Sequence, residues 1–167
     1  MSETEIGRVV ELPASVGGVL LLSEMPGSER PLDEWLAGAE ARQTDLIVNL
    51  AEEEELANIS PEYLAYMGVN GGIEISTFPI PDYSVPVDMV SFHELIVEVT
   101  QRLWSGECVI VHCRAGIGRS GLFAASLLTS LNISFSEALQ RVQSAGGKFE
   151  TKAQRLFLQE YRLYLGK

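Results

Sequence analysis

The sequence predicts an α/β fold with three layers: a central, mostly parallel, twisted sheet and helices on both of its faces. Short apolar runs alternate with segments of helical periodicity along most of the chain, as expected when buried strands alternate with covering helices. The apolar run at residues 108–113 leads into a glycine-containing turn and then a helical segment. With 167 residues, 46% of them hydrophobic, the chain can bury one sizeable core, so we expect one domain over residues 1–167. The pattern leaves open whether residues 1–17 are ordered.

The individual elements follow from periodicity and from the residues that bound each run. Strands are expected where short apolar runs lie between glycine, proline or polar residues, and helices where apolar residues recur three or four positions apart. The predicted strands lie at residues 18–23, 45–50 and 108–113, with a fourth within 72–82 that runs into a proline-stiffened loop; the predicted helices lie at residues 30–43, 87–104, 119–131, 134–147 and 151–165.

Two polar features are expected to have structural or surface roles. The four glutamates at residues 52–55 are expected to form a solvated first helical turn, where carboxylates suit the positive end of the helix dipole, and we assign them no chemistry. His93 lies within a predicted helix and is expected to have a structural or surface role. The two histidines, two thiols and scattered carboxylates show no metal-ligand spacing. We therefore expect no metal and no cofactor.

The net charge of −11 limits the partners that the protein can bind. Nucleic acid and anionic membrane surfaces both require clustered Lys and Arg, so neither is an expected partner. The first residues lack the pattern of a secretory signal, and no apolar run approaches membrane-spanning length. In an extended strand, Cys108 and Cys113 would lie about 17 Å apart at roughly 3.4 Å per residue, beyond disulfide reach. We therefore expect both thiols to be free, as in a cytoplasmic protein. We also expect the protein to be a monomer.

The stretch from Cys113 to Arg119 is the strongest candidate for chemistry. Gly116 and Gly118 permit the sharp turn that a strand end needs before a helix begins. Unpaired backbone N–H groups and the positive end of the helix dipole would then converge on an oxyanion such as phosphate, and Arg119 could add two charge-assisted hydrogen bonds. The same field lowers the pKa of a cysteine, which at such places falls to roughly 3.5–7.5. Cys113 is therefore expected to be a thiolate nucleophile.

The residues "HCRAGIGRS", from His112 to Ser120, resemble the signature loop of the protein tyrosine phosphatase superfamily. The resemblance implies that Cys113 attacks phosphorus, that Arg119 grips the equatorial oxygens and that the Ser120 hydroxyl stabilises the departing thiolate. It also implies that His112 supports the loop and is neither acid nor base. The loop residues that would bind the phosphate group are Arg114, Ala115, Gly116, Ile117, Gly118 and Arg119.

A general acid is also required, because expelling an alkoxide or phenoxide needs a proton. The family places an aspartate on a mobile loop about thirty residues upstream of the cysteine, and "FPIPD" puts Asp82 in that place. This segment, the signature loop and "ETKAQ...FLQEY" are similar to the kinase-associated (cyclin-dependent kinase inhibitor 3-like) phosphatases of the dual-specificity branch. Gln154 matches the second of two family glutamines that position the hydrolytic water. Glu150 stands where the first would be, which departs from the pattern.

The resemblance implies a phosphatase of phosphotyrosine and, through a shallow pocket, of phosphoserine and phosphothreonine. Within the signature loop only Arg114 adds charge, whereas branches that act on inositol lipids usually place lysines there; phosphoproteins are therefore preferred over inositol or other small phosphate esters. A phosphate-binding module without activity is the alternative of a different class, but such proteins typically lose the nucleophile, the arginine or the acid. Rhodanese and arsenate-reductase chemistry fit the pattern less well than phosphate ester hydrolysis.

Overall fold

A five-stranded sheet lies at the centre of the computed structural model, which describes residues 5–69 and 71–167. The elements, in chain order, are β1 (Arg8–Val10), β2 (Val19–Ser23), α1 (Leu32–Ala41), β3 (Leu46–Asn49), α2 (Glu53–Ile59), α3 (Pro61–Met67), β4 (Glu74–Thr77), α4 (Met89–Trp104), β5 (Cys108–His112), α5 (Gly118–Ser130), α6 (Phe135–Ser144) and α7 (Lys152–Tyr164). The strand order is β1-β2-β5-β3-β4. All neighbours pair in parallel except β1, which is antiparallel to β2.

The sheet is covered on both faces, as its alternating side chains require. In β2, Leu20 and Leu22 belong to the core that lies under α4, α5, α6 and α7. Leu21, between them, packs with Trp35 of α1 on the opposite face. The same alternation along β3 and β5 makes both faces of the parallel strands apolar. The predicted three-layer α/β class is therefore confirmed.

All nine predicted strands and helices are present, and β1 and α3 were not predicted. The four predicted strands correspond to β2, β3, β4 and β5, and the five predicted helices to α1, α4, α5, α6 and α7. The sequence analysis missed β1, because three residues beginning with an arginine offer no apolar run. It also missed α3, which starts with Pro61 at its first position. Within the segment whose order was left open, the described residues 5–17 contribute an edge strand, and residues 1–4 lie outside the described part of the chain.

Helix α4 packs against α5 and α7 through one aromatic ring. The Asp88 carboxylate caps the helix by accepting a hydrogen bond from Val90 N at 3.1 Å. The Phe92 ring is fully buried and lies edge-on to the rings of Phe123, Phe157 and Tyr161, with centroid distances of 5.2–6.1 Å. Within the described parts of the chain, no helix combines the length and apolar character needed to cross a membrane.

His93, the next residue on α4, has a structural role, as predicted. Its Nδ1 lies 2.8 Å from the Tyr161 hydroxyl, and its ring packs edge-on against Tyr164. Both tyrosines belong to α7. The imidazole therefore joins α4 to α7 and lies outside the glycine-containing loop that follows β5.

The carboxyl ends of the parallel strands meet at one edge of the sheet. Ser23 of β2 and Asn49 of β3 are both in register with His112, the last residue of the central strand β5. In open α/β sheets, ligands bind in the crevice outside this edge. The chain leaves β5 there and enters the loop that begins with Cys113.

Substitution of Phe92 tests the role of this ring in stability. We expect Phe92→Ala to lower the free energy of unfolding by about 3–5 kcal/mol, because it leaves a cavity among three aromatic rings. Urea denaturation followed by circular dichroism measures the change. Val90→Ala on the same helix is the matched control: Val90 is 54% exposed, so its loss should change stability by less than about 1 kcal/mol. An equal effect of the two variants would contradict the packing argument.

Candidate active site

Cys113 lies at the end of the central strand, where the backbone turns from β5 to α5. Its side chain is 3% exposed. The turn depends on Gly116, which has a φ of +72°, a conformation that disfavours residues with a Cβ. A Cβ at Gly116 would also overlap the carbonyl group of Ser23 at the end of β2. The loop therefore fits against the neighbouring strand only with glycine at this position.

The backbone of this loop presents hydrogen-bond donors without acceptors. Among the described residues, none accepts a hydrogen bond from the N–H groups of residues 114–117. The carbonyl of Arg114 instead accepts from Met25 N at 2.9 Å. Because a trans peptide directs its C=O and N–H to opposite sides, the N–H of Ala115 points away from Met25. Such a run of free donors before a helix N-terminus is suited to an oxyanion.

Arg119 is 1% exposed and is held by α2 and by the loop after β4. Its Nη1 donates to Glu55 Oε2 and to the Ile80 carbonyl, each at 2.8 Å. Its Nη2 donates to Glu55 Oε1 at 2.8 Å and lies 3.1 Å from Asp82 Oδ1. Burial alone would lower the pKa of Arg119, but the hydrogen bonds and charge of Glu55 raise it. The guanidinium is therefore fixed and charged.

Glu55 corrects the interpretation of the four glutamates. The run does begin α2, with Glu53 as its first residue, so the predicted helical turn is confirmed. The expectation of a solvated side chain is wrong for Glu55, whose carboxylate receives two hydrogen bonds from Arg119 and one from Glu52 N. Burial raises the pKa of Glu55, yet these hydrogen bonds outweigh burial and lower it. Helical periodicity could not reveal a partner that lies 64 residues away.

Asp82 lies at the same place, on the loop that follows β4. The loop continues along the end of β3, because Phe78 N donates to the Asn49 carbonyl and Ile80 N donates to the Leu50 carbonyl, each at 2.9 Å. The carboxylate of Asp82 accepts from Tyr83 N at 2.9 Å and contacts Arg119. The structure therefore brings the predicted acid, the arginine and the cysteine loop together.

His112 is buried and supports the loop from beneath. Its Nδ1 lies 3.0 Å from the Cys113 carbonyl, which can only accept, so Nδ1 carries the proton. Its Nε2, 2.9 Å from the Tyr63 hydroxyl, then accepts from that hydroxyl. Burial lowers the pKa of His112 to about 4, so the ring is neutral at physiological pH. Sequence analysis missed Tyr63, because no motif surrounds it on α3.

Ser120 and Gln154, two predicted site residues, differ in the hydrogen bonds of their side chains. The Ser120 hydroxyl is buried and has no hydrogen-bond partner among the described residues. Gln154 is fully buried; its side chain accepts from Glu150 N at 2.8 Å and donates to the Ser84 carbonyl at 3.2 Å. It therefore links α7 to the loop that carries the predicted acid.

Glu150 precedes α7 in sequence, but its carboxylate lies beside the N-terminus of α5 and adds negative charge there. A Cβ at Gly118 would overlap the Glu150 carboxylate, so glycine leaves room for that carboxylate beside the helix N-terminus.

The second cysteine, Cys108, is a buried free thiol like Cys113, and burial raises its pKa. The two lie at opposite ends of the extended segment, as predicted. Across residues 5–69 and 71–167, no three His, Cys, Asp or Glu side chains cluster as metal ligands would.

Comparison with known proteins identifies relatives of the chain. Rat (Rattus norvegicus) cyclin-dependent kinase inhibitor 3 is 35% identical over 96 residues, covering 54% of this chain and 44% of the relative. Mouse (Mus musculus) protein tyrosine phosphatase type IVA 2 is 32% identical over 93 residues, covering 54% of this chain and 55% of the relative. The matched regions thus span about half the length of these curated relatives.

Solved structures and a family model agree with these relatives. A crystal structure of kinase-associated phosphatase with its catalytic cysteine replaced by serine has a TM-score of 0.86 and 26% identity, covering 99% of this chain and 98% of that one. The active form of Tk-PTP has a TM-score of 0.71 and 28% identity, covering 98% and 99%. The model described as "Tc-R-P: Polymorphic toxin system, DSP-PTPase phosphatase" matches residues 23–131. The resemblance to dual-specificity phosphatases is confirmed, and the chain belongs to this DSP-PTPase phosphatase family.

Proposed function

We propose that the protein hydrolyses phosphate monoesters of phosphoproteins through a cysteinyl-phosphate intermediate. One observation carries the proposal: the buried, charged Arg119 and the N–H groups of residues 114–117, which have no acceptor in the described part of the chain, adjoin the Cys113 thiol at the carboxyl end of β5. Donors of this kind suit a phosphoryl group whose charge is spread over its equatorial oxygens. A cysteine at such a place is the expected nucleophile.

In the first step the Cys113 thiolate attacks phosphorus, a S–P bond forms and the P–O bond to the leaving group breaks. Asp82 gives its proton to the departing oxygen. Asp82 Oδ1 lies 3.1 Å from Arg119 Nη2. An equatorial phosphate oxygen would compete for that guanidinium, so substrate binding frees the carboxyl group to approach the leaving oxygen.

In the second step water attacks the phosphoryl group, Asp82 takes the proton of that water and the S–P bond breaks. The departing thiolate needs a hydrogen-bond donor, and the buried, unpartnered hydroxyl of Ser120 is suited to supply one. Gln154 already bonds Glu150 N and the Ser84 carbonyl. We therefore assign it to holding the acid loop against α7 as well as to the hydrolytic water.

Phosphotyrosine, together with phosphoserine and phosphothreonine, is the proposed substrate group. The relatives are named as a tyrosine phosphatase and a kinase inhibitor, and Arg114 is the one extra cation among residues 114–118. A net charge of −11 disfavours polyanionic lipid surfaces. A neighbour solved with PI(5)P is 21% identical and supports the fold alone. Cytoplasmic location and a monomeric state remain predictions.

Replacement of the two cysteines tests the nucleophile. We expect Cys113→Ser to reduce hydrolysis of p-nitrophenyl phosphate by at least about a thousand-fold, because a serine hydroxyl at this position is not ionised. The assay contains no added metal. Cys108→Ser is the matched control, since Cys108 is also a buried free thiol but lies at the other end of β5. It should retain turnover near the wild-type value. Residual activity of Cys113→Ser within ten-fold of wild type would contradict the assignment of Cys113 as the nucleophile.

Replacement of Asp82 tests the general acid. We expect Asp82→Asn to reduce kcat by about 10²–10⁴-fold for phenyl phosphate and much less for 2,4-dinitrophenyl phosphate, because a good leaving group needs little protonation. A series of aryl phosphates measures this dependence. Asp88→Asn serves as control, since asparagine is also a good helix cap and Asp88 caps α4. Equal losses across the series would argue against Asp82 as the acid.

Replacement of Glu55 tests how Arg119 is positioned. We expect Glu55→Gln to raise the inhibition constant for inorganic phosphate by about ten-fold, because Arg119 loses its negatively charged partner and one of the two hydrogen bonds that the carboxylate accepts. The effect is measured at neutral pH: since the pKa of Glu55 is lowered, its contribution is present there and lost as the pH falls through that lowered pKa. Glu54→Gln, an exposed neighbour on the same helix, should bind phosphate normally. Unchanged inhibition in Glu55→Gln would show that Arg119 needs no anchor.

A further inference from the structure

The first strand of the chain reaches the cysteine loop through a single side chain. Arg8 of β1 pairs with Leu22 of β2 in the antiparallel edge of the sheet. Its Nη2 donates to the Gly116 carbonyl at 2.5 Å, across 108 residues of sequence. No motif in the sequence points to Arg8, and the proposed mechanism makes no use of it.

Two glycines make room for the guanidinium of Arg8. A Cβ at Gly146, in the turn after α6, would lie 3.2 Å from both Cδ and Nε of Arg8. A Cβ at Gly116 would lie 2.9 Å from its Nη2. Both glycines have positive φ, +79° and +72°. The guanidinium is therefore enclosed between the cysteine loop and the turn that leads to α7, in a space that side chains on either loop would fill.

The carbonyl that Arg8 binds shares its peptide unit with the N–H of Ile117. Because this unit is planar and trans, the Ile117 N–H points away from Arg8, and it has no acceptor among the described residues. A cation on the carbonyl oxygen polarises the peptide and makes its N–H a stronger donor. Met25 N performs the orienting task for the peptide of Arg114 and Ala115, but as a neutral backbone group.

We propose that Arg8 is a positioning residue for the oxyanion site. It pins the Gly116 carbonyl outward, so that the Ile117 N–H is directed toward a bound phosphoryl group, and its charge strengthens that donor. The importance of Arg8 for turnover rests on the proposed phosphatase function. Its effect on oxyanion binding can be measured without any turnover.

Calorimetric binding of inorganic tungstate, an ion shaped like phosphate, tests the proposal. We expect Arg8→Ala to raise the tungstate Kd by about ten-fold, the effect of losing one charge-assisted hydrogen bond that orients a donor. Arg141→Ala is the matched control. Arg141 also donates from its guanidinium to a carbonyl of the N-terminal segment, that of Glu11 at 3.1 Å, but from α6 and away from the cysteine loop. It should bind tungstate within two-fold of wild type, a threshold well below the expected effect.

An NMR measurement separates positioning from general stability. In Arg8→Ala the amide proton of Ile117 should move upfield, because its peptide is no longer polarised, whereas Arg141→Ala should leave it in place. Arg8→Lys keeps the positive charge and the aliphatic stem, and it guards against a poorly folded alanine variant. The lysine side chain is shorter than that of arginine and its ammonium group reaches the Gly116 carbonyl less well, so we expect a Kd about three-fold above wild type.

The outcomes distinguish the two proposals. Tungstate binding by wild type, with equal affinity in Arg8→Ala and Arg8→Lys, would overturn the role of Arg8 and leave the phosphatase proposal intact. Weaker binding in Arg141→Ala to the same degree as in Arg8→Ala would also overturn it, because loosening of the N-terminal segment would then be the cause. A wild-type protein that binds no tungstate would contradict the phosphatase proposal, and the positioning role with it.

Discussion

Arg119 is held almost out of solvent by Glu55 through two hydrogen bonds of 2.8 Å, and the other parts of the site are arranged around this pair. A buried guanidinium without a partner would be strongly destabilising. Glu55 supplies the opposite charge, and the Ile80 carbonyl supplies a further acceptor. Helix α2, the loop after β4 and helix α5 therefore meet at one side chain. The position of Arg119 depends on all three being docked, so the geometry of the site depends on the tertiary fold.

Three arginines lie at or beside the cysteine loop of this strongly acidic chain. The net charge is −11, yet Arg119, Arg114 and Arg8 all belong to or contact the segment between β5 and α5. Free backbone N–H groups add to this local field without adding net charge. These local donors and cations favour one phosphoryl group at the end of the central strand, whereas the net negative charge disfavours binding to a polyanionic surface.

Sequence analysis located the parts of the site that lie within continuous motifs. The glycine loop beginning at Cys113 follows β5, as the apolar run predicted, and Asp82, which the family resemblance indicated, lies beside Arg119. Glu55 was misjudged, because a glutamate in the first turn of a helix normally faces solvent. Arg8 was overlooked for a related reason: its contact with Gly116 spans 108 residues. Neither local periodicity nor spacing carries information about such distant partners.

The sequence by itself determined the fold class, the order of most strands and helices and the family signature, because these follow from local patterns of apolar residues, glycines and capping groups. Only the tertiary structure decided which side chains hold the signature loop. It placed Glu55 on Arg119, Tyr63 on His112 and Arg8 on Gly116. These pairs form because strand order β1-β2-β5-β3-β4 sets the central strand between distant segments, and buried polar groups must find hydrogen-bond partners there.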